Sequence, residues 1–132
     1  MHIGAISLLV PDYDEGIAFY VDQVGFELIE DTARSATKRW VLIAPPSSGA
    51  SETTRILLAK ADGPKQVGAI GNQTGGRVGF FLHSDDFERD YEVMKNAGVH
   101  FEEDPRVEPY GKVAVWRDPW GNRWDLLQLN SP

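Results

Sequence analysis

The sequence has no cysteine, two methionines and three histidines among its 132 residues. The missing cysteines exclude a disulfide framework, a thiol nucleophile and a thiolate metal site, and leave the redox compartment open. Positive charge is also scarce: thirteen Lys and Arg face twenty Asp and Glu, for a net charge of -7. That is the wrong sign for neutralising phosphates or docking on anionic lipid, so neither nucleic acid nor a membrane surface is the expected partner. Long apolar runs are absent as well. The stretch Ile6 with Leu8-Leu9-Val10 stops at Pro11-Asp12, and it has neither a basic flank nor a small-residue cleavage site. It reads as a strand rather than a signal peptide or membrane span, and the expected location is cytoplasmic. What is present, 42% apolar and 25% charged residues, suits one globular domain over residues 1–132.

Apolar periodicity divides this domain into two similar halves. In the first, residues 3–10 are dense in apolar and β-branched side chains and predict a buried strand. Asp12 or Asp14 then caps a helix whose Tyr13, Ile17, Tyr20 and Val24 recur at helical spacing, and Gly25 ends it. Strands are expected at 26–31, 38–44 and 54–59, with a loop over Pro45-Pro46-Ser47-Ser48-Gly49. Module one therefore covers about residues 1–60, and the glycine-rich stretch of about 61–76 reads as a linker. Its Gly71-Asn72-Gln73-Thr74-Gly75-Gly76 lacks the Lys-Ser/Thr of a phosphate loop.

Module two, about residues 77–130, repeats the pattern: a strand at 78–83, a helix from Asp86 to Gly98 carrying Phe87, Tyr91 and Met94, then a short strand at 99–104. Two further strands, 112–116 and 124–129, flank the turn Asp118-Pro119-Trp120-Gly121-Asn122. The expected fold class is α+β: two tandem βαβββ modules whose sheets curve around a cleft.

The residues Val10-Pro11-Asp12, Ala18-Phe19-Tyr20, Val24-Gly25-Phe26, Asn96-Ala97-Gly98-Val99 and Arg117-Asp118-Pro119-Trp120-Gly121-Asn122 together resemble the vicinal oxygen chelate superfamily, which includes glyoxalase I, bleomycin-resistance proteins, fosfomycin-resistance enzymes and extradiol dioxygenases. The resemblance spans nearly the whole chain. It implies a partly open eight-stranded barrel with flanking helices, commonly as a homodimer. In metal-dependent members, one His or Glu from each of four strands binds a divalent ion. The resemblance places those positions at Ala5, Leu57, Gly79 and Asp125, and only Asp125 carries a donor side chain.

A zinc, nickel or iron site needs about three or four imidazole or carboxylate donors. His83 shares the parity of Gly79 but lies four residues farther along its strand, roughly 13 Å beyond that level. His2 has the opposite parity from Ala5, and His100 belongs to another strand. The expectation is that the usual metal centre is lost and no cofactor is bound; a divalent metal enters only if this metal-free reading fails.

Candidate ligand-binding residues are Leu9, Leu57, Gly79, Phe81, His83 and Asp125. Asp125 is a candidate general base if desolvated, or a partner of Arg123 or Arg77. Phe81 is the candidate stacking wall. Gly79 is either missing bulk that widens the cavity or a bulge. Trp124 is assigned to the core, whereas the parity of Trp40 and Trp116 stays open. The acids Glu102-Glu103-Asp104 read as a solvated strand end, with attraction of a cationic ligand as the alternative.

Two functions remain. One is capture of a small amphipathic or aromatic molecule without metal. The other is a glyoxalase-like lyase or isomerase, or an extradiol-type dioxygenase, using a rearranged metal site or Asp125 as base.

Overall fold

The computed structural model describes residues 1–46 and 53–131, so the expected loop at Pro45-Pro46-Ser47-Ser48-Gly49 lies, from Ser47 onward, outside the described residues. The first sheet holds β1 (Ala5–Val10), β2 (Glu27–Ala33), β3 (Arg39–Ala44) and β4 (Arg55–Lys60) in the order β1-β4-β3-β2. The second holds β5 (Val78–His83), β9 (Arg123–Leu129), β8 (Gly111–Arg117) and β6 (His100–Phe101), with β7 (Arg106–Glu108) also on β8. Within each sheet the first strand runs parallel to the last, and the other pairs are antiparallel. The two sheets of four and five strands form an α+β fold and do not close into one barrel.

The first helix begins where expected: Asp12 is extended, and its carboxylate accepts a hydrogen bond from the Asp14 amide. Helix α1 (Tyr13–Ile17) then widens into a π-helical segment, Ala18–Gln23. A wider turn shifts the phase of the side chains. The adjacent aromatics Phe19 and Tyr20 therefore both enter the core, where α-helical spacing alone predicts only Tyr20. Gly16 lets the helix approach the sheet, for a Cβ there would press on Leu58 and Val10 at 3.1 and 3.2 Å.

Two expectations need correction. The stretch read as a linker contains helix α2 (Gly63–Ala69), which has Pro64 in its first turn and no buried residue. Periodicity missed it because this helix buries no apolar stripe. The strand expected at 99–104 is also cut short: after β6 the Glu103 carboxylate, in place of a backbone carbonyl, accepts from the Val115 amide. Pro105, with no N–H to donate, separates β6 from β7.

Beyond α2, the connector is tied to both halves. The Gln73 side chain behaves as a strand partner for the free edge of β1, donating from Nε2 to the Ser7 carbonyl at 2.9 Å and accepting the Leu9 amide at 3.0 Å. Gly71, at φ 74°, lies against the Trp120 carbonyl so closely that any Cβ would overlap it.

One core joins the halves. From the first come Leu8, Val10, Phe19, Tyr20, Phe26 and Ile43; from the second, Phe80, Phe87, Met94, Trp116 and Trp124. Helix α3 (Phe87–Asn96) is capped by Asp86, which accepts from the Arg89 amide, and contributes Phe87 and Met94. Trp124 lies between Phe80 and Trp116, with ring centroids at 4.5 and 4.8 Å and near-parallel planes. The core assignment of Trp124 thus holds, and Trp116 joins it there.

Polar contacts fix this aromatic stack. The buried Asp118 Oδ1 accepts from the amides of Trp120, Gly121 and Asn122, while Oδ2 accepts from Tyr20 Oη at 2.7 Å and Asn122 Nδ2 at 2.6 Å. Tyr20 Oη in turn accepts from Trp124 Nε1 at 3.1 Å. Removing the carboxylate strands several buried donors, each costing about 1–3 kcal/mol, so Asp118→Ala is expected to lose about 3 kcal/mol or more in urea denaturation. Tyr20→Phe, which strands only one donor and one acceptor arm, is expected to lose about 1–2 kcal/mol by the same measurement.

Candidate functional site

Each sheet has a face turned to the helices and core and an opposite, outward face. Alternation along the strands puts Leu8, Val10, Leu58, Phe80, Trp124 and Leu126 inward. Every candidate site residue consequently falls on the outward faces. Leu9 and Leu57 share that face of the first sheet, on the paired strands β1 and β4. Phe81 lies directly opposite Asp125 on the second, with His83 one step further opposite Leu127. The structure therefore brings the candidates into two groups on two sheets rather than one ring.

Phe81 is 60% exposed, a large apolar area to leave in water. On the first sheet the outward Trp40 is 38% exposed, and the Arg34 guanidinium stands 5.8 Å from its ring centre. These assignments settle the parity of both tryptophans, Trp40 outward and Trp116 inward.

Gly79 sits where the β5–β9 register slips between Val78 and Phe80. The place its side chain would take is filled by the methyl group of Thr74, itself held by a 2.7 Å hydrogen bond to the Arg77 carbonyl. The bulge, not spare volume, accounts for this glycine.

Asp125 is half-buried and makes no hydrogen bond or ion pair with a described residue. Burial is the main cause that raises its pKa above the ordinary aspartate value; Arg106 opposes the shift, Glu103 adds to it and Arg123 opposes it. Neither expected partner takes it: Arg123 is held by Glu102 at 3.0 Å, and Arg77 is exposed and forms no ion pair with a described acid, while Arg106 bridges Glu103 and Glu108. The acids at 102 and 103 are thus ion-paired rather than simply solvated.

The four positions that bind a metal in chelating relatives do not fit an ion here. Ala5, Leu57 and Gly79 offer no side-chain donor, and Ala5 and Leu57 lie on a different sheet from Asp125. Among the described residues, no three His, Asp or Glu side chains are grouped to hold a metal.

Two features were missed by sequence reading. One is a groove of about 640 Å³ between α3 and the first half, lined by Phe26, Leu82, His83, Met94 and Leu126 among others. Its acids Asp85 and Asp90 already pair with Arg89. The other is Arg55, which shares the outward parity of Leu57 and faces Ala5 across the strands. Its Nε is buried and has no hydrogen-bond partner. The two-residue spacing from Leu57 was the available signal.

Known proteins share this architecture and sequence. A protein of Shewanella frigidimarina (strain NCIMB 400), itself uncharacterized, is 52% identical over 127 residues, covering 96% of this chain and 92% of that protein. Among solved structures, UcmS2 superposes with a TM-score of 0.79 at 27% identity, covering 96% of this chain and 97% of the other. TnmS3, an antibiotic binding protein from Streptomyces sp. CB03234, does so with a TM-score of 0.75 at 30% identity, covering 98% and 97%. A sequence profile matches residues 2–126, and the chain accordingly belongs to the Glyoxalase/Bleomycin resistance protein/Dioxygenase superfamily.

Proposed function

We propose that this protein binds a small amphipathic or aromatic molecule on the outward faces of its sheets without a metal ion, and holds it without altering it. The observation that carries this reading is the chemistry of those faces. At the positions where chelating relatives place donors, this chain presents hydrocarbon, hydrogen and a single carboxylate, beside the exposed ring of Phe81. Such a surface gains by excluding water against a flat apolar body and has little with which to polarise an oxygen. Likeness to the antibiotic binding protein TnmS3 supports the same reading. Leu9, Leu57, Phe81, His83 and Asp125 are the proposed contacts, with Gly79 shaping the strand beneath Phe81.

A homodimer belongs to this proposal. Exposed rings such as Phe81 and Trp40 stand on the outward faces of the two sheets, and a second copy would shelter both them and a bound ligand. Sedimentation at micromolar concentration is expected to give twice the mass of one chain; a monomer bearing full ligand affinity would remove this part.

The enzymatic alternative rests on Asp125, whose raised pKa suits a general base. Against it, no described side chain is hydrogen-bonded to the carboxylate to orient it. Binding is therefore the reading the geometry favours.

A panel of polycyclic aromatic compounds tests it by thermal shift. A ligand present at 100 times its Kd stabilises by about 2.7 kcal/mol, which for a domain of this size is a rise of about 10 °C in the midpoint. Nickel, zinc, manganese and iron(II) salts are expected to leave the midpoint unmoved. A panel without response, or stoichiometric metal in protein purified without chelator, would overturn the reading.

Asp125 gives a separate prediction with a definite sign. Its folded pKa lies above the unfolded one, so the folded state holds more protons in the acid range. Stability contributed by Asp125 is therefore lost as pH rises from the unfolded pKa through the folded one. Asp125→Asn is expected to melt no lower than wild type at pH 7, with the difference shrinking toward pH 3.5. A variant that is less stable at pH 7 would show that the carboxylate is held by a favourable partner.

A further inference from the structure

Arg55 is the one half-buried cation among the described residues with no acidic partner. Arg34, Arg39, Arg89, Arg106 and Arg123 all have carboxylates within 4.0 Å. Arg77 and Arg117 lack such a partner too, but both are exposed and can be satisfied by water. Arg55 is different, because its Nε is shielded from solvent and donates to no oxygen of a described residue. A buried guanidinium donor without an acceptor is costly, and in a chain with twenty acids an internal partner would have been easy to supply.

Its surroundings form a strip along the outward face of the first sheet. Ala5 is opposite Arg55 on β1, and Ser7 is opposite Leu57. On the other side Leu42 is opposite Leu57, which carries the register on to Ala44 beside Arg55 and Trp40 beside Ala59. Ala5 and Ala44 flank Arg55 on the two neighbouring strands, each with a side chain of a single carbon. From Arg55 to the level of Trp40 is four strand residues, roughly 13 Å at 3.3 Å per residue. Between them the strip is floored by Leu57 and Leu42.

The geometry points to an aromatic acid as the ligand class: a flat body of two or three rings lying over Leu57 and Leu42 toward Trp40, with a carboxylate or sulfonate on Arg55. This rests on the ligand-binding reading above and narrows it, and it reverses the charge that the overall acidity suggested. The two charges operate over different ranges. Exposed surface acids are screened within about 8 Å at physiological ionic strength, whereas a shielded guanidinium meets its anion in direct, charge-assisted hydrogen bonds. Arginine also suits the role better than lysine, since its planar fork matches two oxygens at once.

The test uses two fluorescent probes of similar shape, 1-anilinonaphthalene-8-sulfonate and the uncharged N-phenyl-1-naphthylamine, titrated into the intact protein at 150 mM salt. The sulfonate is expected to bind about tenfold more tightly than the neutral probe. Arg55→Gln is expected to abolish that preference while leaving the neutral probe's Kd within twofold and the melting midpoint near that of wild type. Arg77→Gln, removing an exposed arginine, is expected to change neither Kd.

Equal affinity for both probes in wild type, or an equal loss in Arg77→Gln and Arg55→Gln, would overturn the assignment of the anion to Arg55 and leave the apolar binding face standing. Failure of both probes to bind would remove the binding face itself and this proposal with it. If Arg55→Gln lowers the midpoint, Arg55→Lys serves in its place. Keeping the charge but not the fork, it should retain less than a third of the sulfonate preference, and full retention would reject bidentate recognition.

Discussion

The arrangement of the whole chain depends on one buried carboxylate that takes hydrogen bonds from both halves. Asp118 is the residue of the β8–β9 turn that gathers three backbone amides, and its second oxygen receives the phenol of Tyr20 from the other module. Tyr20 could reach that oxygen only because the first helix widens at Ala18–Gln23 and turns two successive aromatic rings inward. Trp124 closes the set by donating to the same phenol while stacking between Phe80 and Trp116. Burial of an aspartate is expensive unless each lone pair finds a donor, and here the donors come from segments about 100 residues apart. A polar contact of this kind adds direction to an otherwise non-directional apolar core. It sets how one sheet is oriented to the other.

Once the inward faces are joined in this way, the outward faces follow. A strand that commits alternate residues to the core must present the rest to the other side, so the placement of Trp124 inward fixes Asp125 and Val115 outward. The same logic on the first sheet links buried Leu58 to outward Leu57 and Arg55. The proposed contact residues and the core are thus carried by alternate residues of the same strands. The chemistry of the outward face can change without disturbing the stack that holds the fold.

Much of this was legible in the amino-acid order. The duplicated strand and helix spacing, the Asp12 and Asp86 caps and the Asp118 turn all express local rules, and, β6 and β7 apart, the strands lie within a few residues of where they were expected. What escaped depended on partners far away in sequence. Helix α2 carries no apolar stripe, so nothing local distinguishes it from a loop. The break between β6 and β7 arises because Glu103 reaches back to Val115, twelve residues distant. Whether Gly79 marks spare volume or a bulge could not be decided locally, because Thr74, which fills the place of its side chain, lies in the connector. Parity put Phe81 and Asp125 on one face because the chelation pattern drew attention to their strands, and the structure sets them opposite each other on β5 and β9. Arg55 escaped because its distinguishing property is a missing neighbour, and no linear reading records which charges remain unpaired.

The electrostatics of the two outward faces differ in kind, and this bears on the proposed binding of a ligand without a metal ion. On the second sheet, Glu102, Glu103 and Glu108 are matched by Arg123 and Arg106, a set whose charges largely cancel around a partly desolvated Asp125. On the first, the half-buried Arg55 has no carboxylate partner among the described residues. A divalent ion would need several anions converging on a point. Three of the four positions that the family resemblance assigns to donors carry none, and the acids near Asp125 are engaged by Arg106 and Arg123. Alanine, leucine and glycine at three positions that the family resemblance assigns to metal ligands suit the proposed binding mode, in which affinity scales with the apolar surface covered and orientation comes from the few polar groups left.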